Sequence, residues 1–227
     1  MTLASAPGSG RFYRPRVKIC GLTRAEDAVL AAALGADALG FIFWTGSPRC
    51  ADVDEVQAIV RRLPPFVATV GVFVNERPAR VLEIASTLGL TAVQFHGDED
   101  DDEVAAFPWR TLRAVNPDAG EGAARLARLP SHVTVLLDAH DPVKRGGTGR
   151  AIDWSGAARI ASTRPIVLAG GLRPENVAEA VYGVRPWGVD VSSGVEARPG
   201  VKDAGRLREF FDAVQRAVET IATPAAQ

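Results

Sequence analysis

Cysteine is scarce in this chain: only Cys20 and Cys50 occur among 227 residues. Two are too few for a disulfide framework, and they lack the paired spacing of a metal site. A reducing, cytoplasmic setting is therefore expected. Also missing is any uninterrupted apolar run near the ~18–20 residues that a membrane span needs. Neither sign of charge is in excess, since 26 Lys and Arg face 27 Asp and Glu, for a formal net charge of −1. That balance gives no support to a nucleic-acid or membrane partner, so an anionic ligand has to be held by a local site. Residues 1–15 contain Gly, Ser and Pro but no apolar signal core, and they read as a disordered leader. A single catalytic domain is expected over 16–221, with a flexible tail over 222–227.

The rest is ordinary for a folded domain, with 47% hydrophobic and 23% charged residues. Eight short apolar runs fall at 17–20, 37–43, 67–74, 91–95, 109–115, 133–138, 165–169 and 189–191. Helical or loop segments separate them. Thr23 with Glu26 three residues on predicts a capping box for the first helix. Helices are also expected over 53–62, over 77–88 with Pro78 in the first turn, and over 123–128. Others should begin near Asp153 and at Pro174-Glu175-Asn176. The last, over 203–221, carries Leu207, Phe210, Phe211, Val214 and Val218 on one stripe. The acidic run 98–103 opens a helix in this reading and is not a metal site, because carboxylates favour the positive end of the macrodipole. Strand and helix alternating eight times indicate a parallel sheet. No G-x-G-x-x-G follows the first strand, which argues against an open dinucleotide-binding sheet. The expected fold is α/β, a single (β/α)8 TIM-type barrel with a parallel eight-stranded core.

In such barrels reactive groups gather at the C-terminal ends of the strands. Those ends carry Cys20, Asn75, Gln94 with His96, Asp138, Gly170-Gly171 and Ser192-Ser193-Gly194, and Arg49 stands in the second loop. Leu136-Leu137-Asp138 is a buried run that stops at a carboxylate, and Gly146-Gly147-Thr148-Gly149 follows soon after. Three glycine-bearing loops after consecutive strands predict a phosphate site, in which Gly147, Gly149, Gly170, Gly171, Ser192, Ser193 and Gly194 offer backbone amides to the anion. Cys20 ends its strand directly before a glycine, and Lys18 shares its face, placed to favour a thiolate. Arg49 has a fork suited to a carboxylate. Lys18, Gln94 and His96 are expected to line the pocket; a hydrogen-bonded structural role fits His96 as well.

Together these motifs resemble one family over nearly the whole chain from Arg16. They are Val17-Lys18-Ile19-Cys20-Gly21-Leu22-Thr23, Gly35-Ala36-Asp37-Ala38-Leu39-Gly40-Phe41-Ile42-Phe43 with Ser47-Pro48-Arg49, and Val70-Gly71-Val72-Phe73-Val74-Asn75. Val93-Gln94-Phe95-His96-Gly97, the glycine loop with Asp153-Trp154, Ala169-Gly170-Gly171-Leu172 and Asp190-Val191-Ser192-Ser193-Gly194-Val195-Glu196 complete the set. The family is phosphoribosylanthranilate isomerase, of tryptophan biosynthesis. The resemblance implies an Amadori rearrangement of N-(5-phosphoribosyl)anthranilate to 1-(2-carboxyphenylamino)-1-deoxyribulose 5-phosphate, with no metal and no cofactor. It further implies that Asp138 is the general acid, Cys20 the general base and Arg49 the holder of the anthranilate carboxylate, while the glycine loops cradle the phosphate. The partner is then a small phosphorylated sugar, and the chain a monomer or homodimer.

Other phosphate-binding barrels remain as alternatives. Indole-glycerol-phosphate synthase would want a catalytic Lys with a Glu at strand ends, and ribulose-phosphate epimerase would want His and Asp metal ligands there. A non-catalytic phosphate-ligand sensor, or a bifunctional isomerase that also serves histidine biosynthesis, is also compatible with the sequence.

Overall fold

A computed structural model describes residues 13–117, 122–138 and 153–223 of the chain. Eight parallel strands close in chain order into a barrel: β1 (Arg16–Ile19), β2 (Ala38–Ile42), β3 (Ala68–Phe73), β4 (Ala92–Phe95), β5 (Thr111–Val115), β6 (Thr134–Leu137), β7 (Ile166–Leu168) and β8 (Gly188–Val191). Helices follow them as α1 (Ala25–Ala33), α2 (Val53–Val60), α3 (Pro78–Leu88), α4 (Asp101–Ala106), α5 (Gly122–Arg128), α6 (Trp154–Ala161), α7 (Val177–Val184) and α8 (Ala204–Ala222).

Aspartates fix several helix starts, as short side chains that satisfy orphan N–H groups do. Asp52, Asp100, Asp153 and Asp203 each accept from backbone amides of the following turn. The acidic run 98–103 thus opens α4, as expected. Thr23 does not cap α1. Arg24 occupies that position without a side-chain cap, because the Thr23 hydroxyl instead donates to the Gly200 carbonyl at 2.6 Å. Pro174 lies in a turn and α7 begins only at Val177, since Asn176 is held back by a bond from its side chain to the Gly171 carbonyl.

Alternate strand residues point to opposite faces. One set, including Ile19, Leu39, Phe41, Phe73, Val93, Leu137, Leu168 and Val189, packs outward on helix residues such as Val56, Ile84, Val181, Leu207 and Phe210. The other set fills the barrel, where Ala114, Leu136, Val167 and Ala169 form a small separate cluster. The opposite wall is charged: Lys18 and Asp190 are register partners across the β1–β8 seam, and their side chains form a buried 3.0 Å ion pair. Another buried charged residue lies outside the barrel. Arg113 is fully buried and bonds to Glu99 at 2.5 Å and Asp101 at 3.1 Å.

Two further features fall outside the eightfold repeat. After β8 a single 3-10 turn (Ser193–Val195) leads into a hairpin, β9 (Glu196–Arg198) and β10 (Val201–Lys202). At the other end Tyr13, read above with the leader, donates to the Pro186 carbonyl at 2.9 Å, and Arg14 bonds to Asp37 at 3.1 Å.

Burial would lower the Lys18 pKa, but the charges and hydrogen bonds of Asp190 and Cys20 together more than offset it, and the net shift is upward. A raised lysine contributes stability fully below its unfolded value, about 10.4, and loses it only as pH rises through the folded one. The seam pair is therefore intact across neutral pH. Lys18→Met leaves Asp190 buried and uncompensated, and urea unfolding at pH 7 is expected to show a loss of about 3–5 kcal/mol. A change below about 1 kcal/mol would mean that the barrel closes without this pair.

Candidate active site

One cavity at the C-terminal ends of the strands is lined by Cys20, Arg49, Gln94, His96, Asp138, Gly170, Gly171, Asp190, Ser192 and Ser193. Each is placed by its strand. The Cys20 amide, one residue past β1, donates to the Val191 carbonyl at 2.8 Å, and the Asp138 amide, one past β6, donates to the Val115 carbonyl at 3.1 Å. Gly21 has φ +71°, and a Cβ there would lie 2.6 Å from Arg49 Cδ and 2.9 Å from Ser192 Oγ. Only glycine lets the Arg49 stem and the β8 turn close on the thiol. Gly194 serves the neighbouring wall, since its Cβ would fall 1.9 Å from the Leu172 carbonyl oxygen. The turn after β8 thereby packs directly on the turn after β7, where Gly170 and Gly171 both have positive φ. Adjacent turns of this kind, after strands seven and eight, are where such barrels bind phosphate.

Burial pushes the Cys20 thiol up; the Lys18 ammonium pulls it down, Asp190 adds to the rise, and the net shift is upward. The resting group is a neutral thiol next to an ammonium. A high pKa lowers the thiolate fraction but makes the thiolate that does form a stronger base. On the facing side the Gln94 amide nitrogen lies 2.9 Å from His96 Nδ1, and His96 Nε2 lies 3.3 Å from Asp138 Oδ2. With the amide as donor, Nδ1 accepts and Nε2 carries the ring hydrogen. Gln94 Oε1 and Ser192 Oγ are buried with no hydrogen-bond partner among the described residues. Both belong to cavity residues, so hydroxyl or phosphate oxygens of a ligand can satisfy them.

Arg49 reaches the cavity with its guanidinium already gripped by Glu196 at 2.7–3.1 Å. Lys202, buried, bonds to Glu196 at 2.8 Å and to the carbonyls of Cys20 at 2.6 Å and Ser192 at 3.2 Å. Burial alone would raise the Glu196 carboxyl, but Arg49 and Lys202 hold it below the usual glutamate value.

Of the residues picked from sequence, Cys20, Arg49, Gln94, His96, Asp138, Gly170, Gly171, Ser192 and Ser193 meet at this cavity. Lys18 lies behind the wall on Asp190, and Gly194 supports it from the 3-10 turn. Gly147 and Gly149 lie outside the described residues. Cys50 is exposed. Asp190 and Glu196 stood in a recognised motif without a role, and Lys202 was passed over altogether. Among the described residues no group of three His, Cys, Asp or Glu is arranged to hold a metal, and no helix is long and apolar enough to cross a membrane.

A wider cavity of about 620 Å³ adjoins over β4 and β5, sharing His96, and is rimmed by the five acidic residues from Asp98 to Asp102. Arg125 and Arg128 also line it, but it holds none of the thiol, Arg49 and glycine turns, so the smaller cavity is the better candidate.

A closed barrel with a carboxyl, a thiol and glycine turns around one cavity at the C-terminal strand ends defines the chain as a (β/α)8-barrel enzyme. The family model described as N-(5'phosphoribosyl)anthranilate (PRA) isomerase matches residues 17–213. The chain belongs to the N-(5'-phosphoribosyl)anthranilate isomerase family. It is 47% identical over 201 residues to N-(5'-phosphoribosyl)anthranilate isomerase of Pseudomonas aeruginosa strain LESB58, covering 88% of this chain and 95% of that protein. The crystal structure of phosphoribosyl anthranilate isomerase from Thermotoga maritima superposes with a TM-score of 0.81 at 41% identity, covering 89% of this chain and 99% of that one. A further structure of the isomerase, in complex with reduced 1-(o-carboxyphenylamino)-1-deoxyribulose 5-phosphate, has a TM-score of 0.78 at 40% identity and covers 89% and 99% of the two chains.

The raised thiol has a chemical signature. Alkylation of Cys20 by iodoacetamide, followed by mass spectrometry of its peptide, should keep accelerating above pH ~8.5, the ordinary thiol midpoint. In Lys18→Met the midpoint should move further up. A rate already level at pH ~7 would show instead that the thiolate is the resting form.

Proposed function

We propose that the chain catalyses the Amadori rearrangement of N-(5-phosphoribosyl)anthranilate to 1-(2-carboxyphenylamino)-1-deoxyribulose 5-phosphate, the isomerase step of tryptophan biosynthesis. The observation that carries this reading is the meeting of Cys20, Arg49 and Asp138 at one cavity beside the Gly170-Gly171 and Ser192-Ser193 turns. The reduced molecule bound by the solved relative has the matching parts, an aromatic carboxylate at one end and a sugar phosphate at the other.

Asp138 protonates the furanose ring oxygen. The C1′–O bond breaks, and the anthranilate nitrogen lone pair forms the C1′=N iminium. Cys20, as thiolate, then takes the proton from C2′; the electrons of that C–H bond become the C1′=C2′ bond and neutralise the nitrogen. The enolamine tautomerises to the C2′ ketone. Acid and base come from β6 and β1, so they approach the sugar from different walls of the barrel. His96 orients the Asp138 carboxyl, and Lys18 stabilises the Cys20 thiolate. Arg49 takes the anthranilate carboxylate. The turns after β7 and β8, together with Gly147 and Gly149, hold the phosphate. The substrate is thus a small phosphorylated sugar, processed by a monomer or homodimer. Its two free cysteines suit the reducing cytoplasm.

Loss of substrate fluorescence on mixing with freshly prepared phosphoribosylanthranilate tests the activity directly. Cys20→Ser and Asp138→Asn should each lose at least ~10²-fold in kcat, the lower range for a general acid–base step, with unchanged circular dichroism. Near-normal turnover by either folded variant removes that residue from the chemistry.

A further inference from the structure

The guanidinium of Arg49 presents two donor edges, and Glu196 takes one of them. Nε donates to Glu196 Oε1 at 2.9 Å and Oε2 at 3.1 Å, and Nη2 donates to Oε2 at 2.7 Å. This is the side edge of the fork. The end edge, made by Nη1 and the second hydrogen of Nη2, is the one left to meet a ligand, because Arg49 lines the cavity and a planar guanidinium can serve two carboxylates at once. Glu196 is itself fixed. Its side chain is only 4% exposed, Lys202 Nζ donates to its Oε1 at 2.8 Å, and the Gly200 amide reaches the same oxygen at 3.3 Å. The ammonium has three hydrogens and three acceptors: Glu196, the Cys20 carbonyl and the Ser192 carbonyl. A saturated, buried set of this kind has one preferred arrangement.

We propose that Glu196, clamped by Lys202 and the β9–β10 hairpin, is the positioning residue that aims the free edge of Arg49 at the aromatic carboxylate, and so sets the enzyme's selectivity for a carboxylated aglycone. This rests on the reading of Arg49 given under Proposed function. An arginine stem has many rotamers, and one held in place beforehand binds its partner without having to be ordered at that moment. The anionic clamp also prevents Arg49 and Lys202, two cations sharing one neighbourhood, from pushing the arginine out of line. Because the carboxylate itself gains and loses no bond in the rearrangement, losing its grip chiefly removes binding common to ground and transition states. Such a loss appears in KM and not in kcat.

The test uses the full-length chain, kinetics with phosphoribosylanthranilate, and calorimetric Kd values for two probes. One is the reduced product 1-(2-carboxyphenylamino)-1-deoxyribitol 5-phosphate; the other is its phenylamino counterpart without the carboxyl. For Glu196→Gln, KM and the Kd of the carboxylated probe should rise about tenfold or more, with kcat nearly unchanged, while the Kd of the decarboxylated probe stays as in the parent. Glu196→Asp keeps the charge beside Lys202, so it guards against failure of the amide variant to fold. It should show the same selective weakening at smaller size. Arg49→Met separates the two readings. If it leaves the carboxylated probe bound as before, the role of Arg49 itself falls. If Arg49→Met is selective but the Glu196 variants bind both probes as the parent does, or weaken both equally, or lose kcat as much as KM, the Glu196 proposal alone is overturned.

Discussion

Barrel closure along the β1–β8 seam is the constraint on which the site depends. Two strands from opposite ends of the chain must pair in one register, and that register sets Lys18 beside Asp190. A buried ion pair is weak evidence for net stability, but an unpaired buried charge is strongly unfavourable. Slipping the seam by one residue would also turn every side chain of β1 to the other face. The charge pair therefore penalises wrong registers more than it stabilises the right one. With the register fixed, Cys20 sits one step past Ile19 with its amide on Val191, and the thiol is delivered into the cavity and not into the helical layer.

The hairpin after β8 extends the same seam upward. Lys202 reaches back to the carbonyls of Cys20 and Ser192, joining the end of β1 to the end of β8 with a single ammonium. Thr23 adds a second tie by donating to Gly200. This explains why a residue suited to a helix cap is used elsewhere: the hairpin needs the hydroxyl more than α1 does, because α1 already gains from Glu26 and Asp27 in its first turn. The 3-10 turn, the hairpin and the loop after β2 thus form one cap over the mouth of β1.

Residues such as Val135, Leu136 and Leu137 form a continuous apolar run because a parallel strand is buried on both faces, and that made the eight strands legible. Cys20, Asp138 and the paired glycines were legible for a related reason, since a reactive or flexible residue that interrupts a buried run has few bland explanations. Lys202, Glu196 and Arg113 gave no such signal. Charged residues in mixed surroundings are usually solvated, and their burial becomes visible only when residues distant in sequence come together, as Lys202 does with Cys20. The hairpin was missed for want of length, its strands spanning three and two residues. Arg113 shows a different limit. It stands inside a strand whose pattern reads as apolar, yet it turns outward to Glu99 and Asp101, so the acidic run that opens α4 also neutralises a buried cation.

Charge at the cavity follows from these pairings. Lys18 is paired with Asp190, and Arg49 and Lys202 with Glu196, while the whole chain carries a formal net charge of −1. Long-range steering of an anionic ligand is therefore weak, and recognition is a short-range matter. The two anionic groups of the substrate proposed above require two separate receptors. An arginine edge matches a planar carboxylate, whereas amides of glycine turns match the more diffuse charge of a phosphate. On the reading proposed above, a molecule held by both would present its sugar to Cys20 and Asp138, which line the same cavity.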